Sequence, residues 1–575
     1  MEQKSFRARL ALAKLLILML SCLTLANAPQ TDKPPAEITK KVDALFAQYD
    51  KPNSPGCALG VIRDGRLIYA RGYGLANLEH NIPISSKTVF DIGSTSKQFA
   101  AASILLLAQQ GKLSLDDDIR KLIPEIPAYD QKITIRHLLH HTSGLRDYLT
   151  LMSLVGTDFS GVTTDTDALR LLTRQKEINF SPGAEHLYSN SGYFLLSVIV
   201  HRASGKRLRE FAHEQIFAPL GMQHTHFHDD HTMIVPLRAT GYAPKENGEF
   251  GIEMSNFEQT GDGAVMTTIE DLLLWDQNFY QPKVGGRELL DLFLIQGKLN
   301  SGEQLKYASG LFVGEHRGLK MVSHGGAWAG YRADLIRFPT ERFSVACLCN
   351  VGASNPSQLA TQVAEIYLSD RLKPENPSSA SASAAPASPV KLSPQELARK
   401  TGDFRDQATG ALWKVTAAAD GNLVVDASVI TFQAVPISHT QFRAVNAPAN
   451  ININFDNAEP GKPLLMRVQI ETGKPMVFEA ISPPVLTPAQ LAEYVGDYDS
   501  DELQALYRVA LEDGKLFLRL ANKDTEWSKK PLQPSLRDAF SVGGLSLNFV
   551  RDGQGNISYF TVNAGRVKNI KFLRR

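Results

Sequence analysis

Residues 90–99 read Phe-Asp-Ile-Gly-Ser-Thr-Ser-Lys-Gln-Phe, and they contain the pair Ser94 and Lys97. The apolar run at residues 99–110, followed by Gly111 as a stop signal, predicts a buried helix that Ser94 opens. Residues three positions apart share one helix face, so the hydroxyl and the amine can meet near the positive end of the helix dipole. This arrangement is typical of a nucleophilic serine with its own amine.

The Ser-x-x-Lys spacing is weak evidence when it stands alone. Ser388 and Lys391 repeat it in a segment with the composition of a linker. A serine helix cap beside a solvated lysine has the same pattern. The catalytic interpretation therefore depends on partner residues elsewhere in the chain.

Length and composition indicate a globular protein of several domains. The chain has 575 residues, of which 43% are hydrophobic and 21% are charged, and single domains rarely reach this length. The formal net charge is +1, which argues against an acidic polymer as partner. We expect no nucleic-acid partner.

The N-terminus predicts a secretory signal peptide at residues 1–28. A basic start precedes the apolar residues 15–20, and small residues at Ala26 and Ala28 form a cleavage site. The apolar core is too short to span a bilayer stably, so we expect a periplasmic or secreted protein with no transmembrane segment in the mature chain. Lipid anchoring at Cys22 is the less favoured alternative, because the preceding residues match a lipobox poorly.

Residues 36–372 are predicted to form one α/β (α+β) domain. Alternating runs around Asp64-Gly65 predict a β-hairpin ahead of the serine helix. Residues 114–220 are mostly helical in pattern, and strand-like runs return at residues 308–350. We therefore expect an antiparallel β-sheet, assembled from distant parts of the chain and flanked by helices, with a helical insertion.

The C-terminal part is predicted to be a duplication. Residues 373–391 form a Pro/Ala/Ser linker, followed by repeats at residues 392–484 and 485–575. Each repeat consists of short alternating runs separated by turns, which indicates two small antiparallel β-barrels or sandwiches. The matched landmarks are Leu392-Ser393-Pro394 with Leu486-Thr487-Pro488, Gly402-Asp403-Phe404 with Gly496-Asp497-Tyr498, and Asp420-Gly421 with Asp513-Gly514.

Two further motifs offer partners for the serine. Tyr188 and Asn190 supply a phenol and an amide two residues apart in the helical insertion. A serine hydroxyl needs a base, and an amine can take its proton or assist a neighbouring phenol. His324 precedes Gly325 and Gly326 in the strand-rich part, where glycines allow a backbone to approach a substrate closely.

These motifs resemble the class C β-lactamase-like serine hydrolases of the penicillin-recognising superfamily. Ser94-x-x-Lys97 corresponds to the nucleophile motif, Tyr188-x-Asn190 to the second motif, and the His324 triplet to the Lys-Thr-Gly position. Further family landmarks match at residues 141–145 and 220–222. The resemblance implies a β-lactamase/transpeptidase-like fold.

The resemblance also implies roles for individual residues. Ser94 would attack a carbonyl and become acylated, while Tyr188, with Lys97, would take and return the proton. Asn190 would position the substrate and Lys97. The backbone N–H groups of Ser94 and Ala327 would form the oxyanion hole, and water would release the acyl group.

The triplet departs from the β-lactamase pattern at its first residue. A free imidazole titrates near pH 6.5, so His324 should be largely neutral where the family lysine is a cation. Carboxylate recognition by the His324, Gly325 and Gly326 triplet should therefore be weak. A histidine here resembles the family's D-aminopeptidases, D-amino-acid amidases and esterases, some of which carry two C-terminal eight-stranded barrels.

The favoured function is therefore a secreted serine hydrolase that cleaves an amide or ester bond through an acyl-serine intermediate. Its substrate would be a small molecule or short peptide, such as a D-amino-acid peptide or amide, a small ester or a peptidoglycan-derived fragment. One alternative is a β-lactamase or D,D-carboxypeptidase of the penicillin-binding type. A second is a non-catalytic protein that binds peptidoglycan or a partner. This chemistry requires no cofactor and no metal.

Other histidines and aromatic residues have structural as well as functional interpretations. His224, His226 and His228 alternate and would share one strand face, so a zinc site is the alternative to a solvated surface segment. Trp328 and Tyr331 either line the substrate pocket or fill the end of the sheet. His137, His140 and His141 are predicted to pack and form hydrogen bonds rather than act as bases.

The cysteines predict no disulfide framework. Apart from Cys22 there are three, an odd number: Cys57, Cys347 and Cys349. Cys347 and Cys349 lie two apart in a predicted buried strand, where neighbours do not readily form a disulfide. We expect Cys347 and Cys349 to be small buried hydrophobic residues.

Overall fold

The computed structural model describes residues 35–374 and 390–575, apart from residues 446, 448, 449, 457–460, 471–474, 522 and 526. The predicted signal peptide, Cys22 and nearly all of the predicted linker lie outside the described residues. Within those ranges, no helix combines the length and the apolar character needed to cross a membrane.

Strands at the two ends of the hydrolase domain frame a mainly helical middle. The strands are β1 (Cys57–Arg63), β2 (Arg66–Tyr73), β3 (Leu75–Asn77), β4 (Ile82–Pro83), β5 (Phe90–Asp91), β6 (Val162–Thr163), β7 (His226–Phe227), β8 (Tyr242–Pro244), β9 (Phe250–Ile252), β10 (Asn256–Phe257), β11 (Val265–Thr267), β12 (Phe312–His316), β13 (Leu319–Trp328), β14 (Tyr331–Phe338) and β15 (Phe343–Cys349).

Helices surround these strands and form a lobe beside them. They are α1 (Ala36–Phe46), α2 (Lys97–Gln109), α3 (Ile135–Leu139), α4 (Tyr148–Leu154), α5 (Asp165–Leu172), α6 (Asn190–Ser204), α7 (Leu208–Ala212), α8 (Ala218–Leu220), α9 (Ile269–Asn278), α10 (Gly286–Phe293) and α11 (Pro356–Tyr367). A π-helical turn, His213–Phe217, joins α7 to α8.

The main sheet is six-stranded and antiparallel, in the order β12-β13-β14-β15-β1-β2. The predicted hairpin is confirmed, since Arg63 pairs with Arg66 and leaves a two-residue turn. Asp64 and Gly65 have φ of 50° and 75°, as a type I′ turn requires. The strands before and after the helical middle thus form one sheet, as predicted.

Helices cover both faces of this sheet. On one face, Val42 and Phe46 of α1 pack with Leu359 of α11 against the buried side chains of the sheet. On the other face α9 lies so close that a Cβ on Gly60 would meet Ile269 Cγ2 at 2.4 Å. The predicted class, an antiparallel sheet flanked by helices with a helical insertion, is confirmed.

The serine helix begins with a tighter turn than expected. Gly93–Ser96 form a 3₁₀ turn, and the α-helix proper starts at Lys97. The helix is buried on nearly all sides from Lys97 to Leu107, which explains why its sequence is apolar around the whole circumference. Ser94 therefore lies in the turn that leads into the helix, and Lys97 follows one turn later.

The expectation that no disulfide forms is wrong. Cys57 and Cys349 are bonded, and they lie 292 positions apart in the sequence. They lie directly opposite each other on the neighbouring strands β1 and β15, a pairing that the sequence pattern of either strand does not reveal. Cys347 remains a free, buried thiol.

The C-terminal part contains two β-modules, as predicted. The first begins with α12 (Pro394–Ala398) and the second with α13 (Pro488–Ala492), each capped by the hydroxyl residue of the repeated landmark, Ser393 or Thr487. Their strands are β16 (Gly402–Asp406), β17 (Leu412–Ala417), β18 (Leu423–Asp426), β19 (Thr431–Pro436), β20 (Gln441–Val445), β21 (Ile451–Phe455), β22 (Leu465–Ile470), β23 (Met476–Ile481), β24 (Gly496–Ser500), β25 (Ala505–Glu512), β26 (Lys515–Leu520), β27 (Gln533–Leu536), β28 (Ala539–Val542), β29 (Leu545–Arg551), β30 (Ile557–Ala564) and β31 (Val567–Arg574).

The two modules differ in how completely they close. Strands β16–β23 form a closed antiparallel barrel with its own core, whereas β24–β31 form an eight-stranded sheet with β26 and β27 at its two ends. A bridge between Phe517 and Pro531 and a hydrogen bond from Leu532 N to Leu516 O join these ends. The second module is therefore a partly open barrel.

The second module packs directly on the helical lobe. Its buried side chains continue the core of the hydrolase domain, and Tyr507 donates a hydrogen bond of 2.7 Å to the Leu154 carbonyl at the end of α4. The closed barrel contacts the second module, where Asn563 Nδ2 donates to the Thr409 carbonyl at 2.8 Å.

Candidate active site

Lys97 connects the predicted nucleophile to two other parts of the chain. Its Nζ lies 3.0 Å from Ser94 Oγ, 3.0 Å from Asn190 Oδ1 and 2.5 Å from the Asp262 carbonyl oxygen. These three acceptors match the three N–H bonds of an ammonium group. The side chain is fully buried, so the amine is held in one place directly beside the serine hydroxyl.

Tyr188 lies over the same lysine. Lys97 Nζ is 4.9 Å from the centroid of the Tyr188 ring. The Tyr188 hydroxyl is buried and has no hydrogen-bond partner among the described residues. A buried hydroxyl without a hydrogen-bond partner is unusual. This hydroxyl belongs to Tyr188, the residue that the sequence predicts to take and return the serine proton.

His141 also packs against Tyr188, in agreement with its predicted packing role. The two rings lie 4.2 Å apart between centroids, and His141 Nδ1 accepts a hydrogen bond of 3.1 Å from the Ser189 backbone N–H. Burial lowers the pKa of His141 well below its ordinary value. A neutral imidazole therefore packs against the phenol.

Two close backbone approaches bring together the serine turn and β13, which carry the amides predicted to form an oxyanion hole. A Cβ on Gly93 would lie 2.7 Å from the Ala327 amide nitrogen, and one on Gly326 would lie 3.0 Å from the Ser94 amide nitrogen and 1.9 Å from the Ile92 carbonyl. Only glycine allows this contact between the serine turn and β13. The Ser94 and Ala327 amides are consequently neighbours across the contact.

His324 is buried and its hydrogen bonds define its tautomer. Nδ1 lies 2.6 Å from the Gly325 carbonyl, which can only accept, so Nδ1 carries the proton. Nε2 then accepts from the Tyr307 hydroxyl at 3.0 Å. Burial, with a smaller contribution from the positive charge of Lys97, lowers the pKa of His324 to about 3. The triplet therefore carries no cation at neutral pH.

Two aspartates support the site, and sequence reasoning did not identify either. Asp147 Oδ2 accepts the Asn190 backbone N–H at 2.7 Å, and Asp262 Oδ2 accepts the Tyr148 hydroxyl at 3.0 Å. Burial raises the pKa of Asp262 to about 7, against the opposing effect of Lys97. The two glycines around Asp262 were an available signal, because flanking glycines often mark a close backbone approach.

The site opens into a cleft of about 2170 Å³. Its lining includes Ser94, Tyr188, Asn190 and the His324 triplet. Trp328 and Tyr331 also line the cleft. Tyr331 is almost fully buried, however, and its hydroxyl donates a hydrogen bond to the Ala239 carbonyl. Trp328, packed edge-on against Phe257 at 5.1 Å, is thus the more accessible ring of the two.

The structure brings two of the three alternating histidines together. His226 Nε2 and His228 Nδ1 lie 3.3 Å apart. Among the described residues, none of the three belongs to a group of side chains arranged to hold a metal ion; the groups that qualify by distance are Asp230, His231 and Glu258, and the cysteines Cys57, Cys347 and Cys349.

The fold is an antiparallel sheet with a helical lobe, and a serine and a lysine lie where the two meet. These features define the class of the protein, a class C β-lactamase-like serine hydrolase. The match to known families agrees, since residues 42–367 match the Beta-lactamase family. The chain belongs to that family.

The curated relatives include amide hydrolases that share most of the chain. A D-aminopeptidase of Cereibacter sphaeroides (strain KD131 / KCTC 12085) is 27% identical over 517 residues, which cover 88% of this chain and 92% of the relative. A penicillin-binding protein of Bacillus subtilis (strain 168) is 30% identical over 54% of this chain and 71% of the relative. These relatives support a serine amide hydrolase.

A solved structure supports the fold. The octameric penicillin-binding protein homologue from Pyrococcus abyssi superposes with a TM-score of 0.54 at 21% sequence identity. The superposition covers 77% of this chain and 99% of the homologue. At this identity the likeness concerns the fold alone.

Proposed function

We propose that this protein hydrolyses the amide bond of small D-aminoacyl compounds through an acyl-serine intermediate. The observation that carries the proposal is the position of Lys97 Nζ, 3.0 Å from both Ser94 Oγ and Asn190 Oδ1. The D-aminopeptidase relative that aligns over 88% of the chain supports the substrate class. The predicted signal peptide supports a periplasmic or secreted location.

In this proposal Ser94 Oγ attacks the carbonyl carbon and gives up its proton to Tyr188, which acts as a phenolate stabilised by the Lys97 ammonium. The bond to the leaving amine breaks as Tyr188 returns that proton to the amine nitrogen. The Ser94 and Ala327 amides hold the oxyanion, which is usually the largest electrostatic contribution. Asn190 positions the substrate, and a water molecule then hydrolyses the acyl-serine.

The neutral His324 argues against a β-lactamase in the same fold. Its Nδ1 proton is directed at the Gly325 carbonyl and its Nε2 accepts from Tyr307. No charge and no free donor therefore remain on this side chain for a β-lactam carboxylate. Small esters are a second substrate class, because they contain the same carbonyl with a better leaving group.

The test compares D-alanine 4-nitroanilide, its L-enantiomer, 4-nitrophenyl butyrate and a chromogenic cephalosporin. We expect turnover of the D-anilide and the ester, little of the L-anilide, and none of the cephalosporin. Ser94→Ala should abolish turnover. Ser103→Ala is the matched control, because this buried hydroxyl donates only to the Phe99 carbonyl within the same helix.

Three outcomes would contradict the proposal. Turnover that persists in Ser94→Ala would exclude the acyl-serine mechanism. Efficient turnover of the cephalosporin would show that the site binds a β-lactam carboxylate without a cation at position 324. Silence on every probe would favour the interpretation as a non-catalytic binding protein.

A further inference from the structure

A hairpin turn of the second β-module reaches the active site. Strands β30 and β31 are joined at Gly565 and Arg566, and side chains of the helical lobe hold the backbone of this turn by hydrogen bonds. Asn179 Nδ2 donates to the Arg566 carbonyl at 2.8 Å, and Asn179 Oδ1 accepts the Lys568 N–H at 2.8 Å. Arg146 Nε donates to the Lys568 carbonyl at 3.0 Å. The backbone of the turn is thus anchored on both sides.

This anchoring places the Arg566 guanidinium against the proposed proton-transfer group. Its Cζ lies 4.8 Å from the centroid of the Tyr188 ring. Its nearest carboxylate is Asp147, with 3.8 Å between Nη1 and Oδ2, and that oxygen already accepts the Asn190 N–H. The Arg566 side chain is 42% exposed and lines the cleft.

Arg566 is also uncommitted as a hydrogen-bond donor. Within the described ranges, its guanidinium donates no hydrogen bond. Its ion pair with Asp147 has a distance of 3.8 Å, which is too long for one. The other cation over the Tyr188 ring, Lys97, uses its three N–H bonds on Ser94, Asn190 and Asp262. A guanidinium that faces a cleft and has free N–H donors is suited to bind a carboxylate through two parallel hydrogen bonds.

The Asp147 carboxylate lies 3.8 Å from the Arg566 guanidinium, and the buried carboxyls of Asp91 and Asp262 line the cleft. Burial raises the pKa of Asp91 to about 6 and that of Asp262 to about 7, and each already accepts a hydrogen bond, from Gly93 N–H and from the Tyr148 hydroxyl. Because His324 is neutral, the cations that lie against the Tyr188 ring are Lys97 and, from the C-terminal module, Arg566.

We propose that Arg566 is a specificity-determining residue that binds a carboxylate of the substrate. The preferred substrates are then short peptides whose free carboxylate lies close to the scissile amide, rather than simple amides. This inference rests on the proposed function and refines its substrate class.

The test uses two substrates that differ only in charge: D-alanyl-4-aminobenzoate and D-alanyl-4-aminobenzamide. The wild type should prefer the benzoate, and Arg566→Gln should lower kcat/KM for the benzoate roughly tenfold or more, mainly through KM, as expected for a lost charged hydrogen bond. The loss of kcat/KM for the benzamide should be several-fold smaller than the loss for the benzoate. Arg566→Lys should retain part of the preference.

The matched control is Lys568→Gln. Lys568 lies in the same hairpin and its ammonium group pairs with Glu185 at 3.3 Å, so this variant removes a positive charge without touching the cleft. We expect an unchanged preference for the benzoate. Equal losses on both substrates in Arg566→Gln would overturn the inference, because Arg566 would then act only through Tyr188.

A binding measurement separates this inference from the proposed function. Calorimetry on Ser94→Ala should show that the uncleaved benzoate binds at least about tenfold more tightly than the benzamide, and that adding Arg566→Gln removes the difference. Equal binding of the two compounds to Ser94→Ala overturns the role of Arg566 even if the wild type hydrolyses both. Preferential binding without hydrolysis by the wild type overturns the proposed function and leaves Arg566 supported.

Discussion

At the scale of single residues, burial decides which side chains of the site carry charge. His324 and His141 are enclosed and held neutral, and burial also keeps the Asp262 carboxyl protonated up to about pH 7. Lys97 is equally buried, but three oxygen acceptors surround its Nζ. The same residue types in water would distribute charge quite differently.

The buried His324 should make the fold less stable in mild acid. Its pKa is about 3 in the folded protein and about 6.5 when unfolded, so the unfolded chain binds the extra proton between these values. The free energy of unfolding then rises with pH across this window and falls as the pH drops below about 6.5. We expect His324→Gln to remove about 1 to 2 kcal/mol of the loss between pH 7.5 and pH 5.

Urea unfolding of the wild type and His324→Gln at the two pH values checks this prediction. The variant retains a neutral donor and acceptor, so its stability at the higher pH serves as the reference for packing. Contributions from Asp91 and Asp262, which have the opposite sign, are common to both proteins. If the stability of the wild type and of His324→Gln depends on pH in the same way, the His324 imidazole is protonated in the folded protein and the prediction is wrong.

At the scale of elements, the site depends on two strands that meet the serine turn. β13 carries the His324 triplet, and Thr95 Oγ1 donates to the His324 carbonyl at 3.0 Å. β11 is tied to the same turn, because the Val265 N–H donates to Ser96 Oγ at 3.0 Å. These contacts hold the nucleophile in register with the sheet.

The disulfide between β1 and β15 should stabilise this sheet. A bond that closes a loop of nearly 300 residues restricts the unfolded chain, and removal of such a bond typically costs about 2 to 4 kcal/mol. We therefore expect Cys57→Ala/Cys349→Ala to unfold at a lower urea concentration than the wild type. The wild type unfolded with a reductant present should approach the double variant.

The control for this prediction is Cys347→Ala. Cys347 is buried in the same strand but unbonded, so its truncation should cost only the small amount expected for a minor cavity, about 1 kcal/mol. A wild type that unfolds at the same urea concentration with and without reductant would contradict a stabilising role for the bond.

At the scale of the whole molecule, a buried ion pair joins the helical lobe to the second β-module. Arg146 Nη1 lies 2.6 Å from Glu502 Oε1, with side chains 0% and 8% exposed. Arg146 also donates a hydrogen bond to the Gln175 side chain. Its remaining N–H groups donate to the backbone carbonyls of Lys568 and Asn569. The same arginine therefore anchors the hairpin that carries Arg566.

Breaking this pair should loosen the module and the active site together. Glu502→Gln leaves the buried Arg146 guanidinium with only the exposed Glu177 carboxylate, 4.0 Å away, as counter-charge, and the loss of a buried partner typically costs about 3 to 5 kcal/mol. We expect an earlier first unfolding transition and a weaker preference for the carboxylate-bearing substrate. Urea unfolding and the paired-substrate assay measure the two effects.

An exposed ion pair across the same interface provides the control. Lys176 and Asp501 are 65% and 73% exposed and lie 2.9 Å apart, so Lys176→Gln should change stability by no more than about 0.5 kcal/mol. If both variants behave alike, the buried pair does not hold the module.

Much of the fold was predictable because its signals are local. The hairpin at Asp64-Gly65, the strand Tyr331–Phe338 and the duplicated modules each follow from periodicity or turn residues within a short stretch. The serine motif and its two partner motifs were likewise visible in order along the chain. The structure places them in contact, while their catalytic roles remain predictions for the assays above.

The remaining features depend on which distant segments pack together. The Cys57–Cys349 bond, the supporting carboxylates of Asp147 and Asp262, and the approach of Arg566 to Tyr188 join parts of the chain that share no pattern. The amino-acid sequence alone therefore specified the elements, the repeat and the candidate nucleophile, because each is encoded within a few turns. The pairing of cysteines, the neutrality of His324 and the cation beside Tyr188 were decided by the tertiary structure, because proximity and burial arise only when those elements pack.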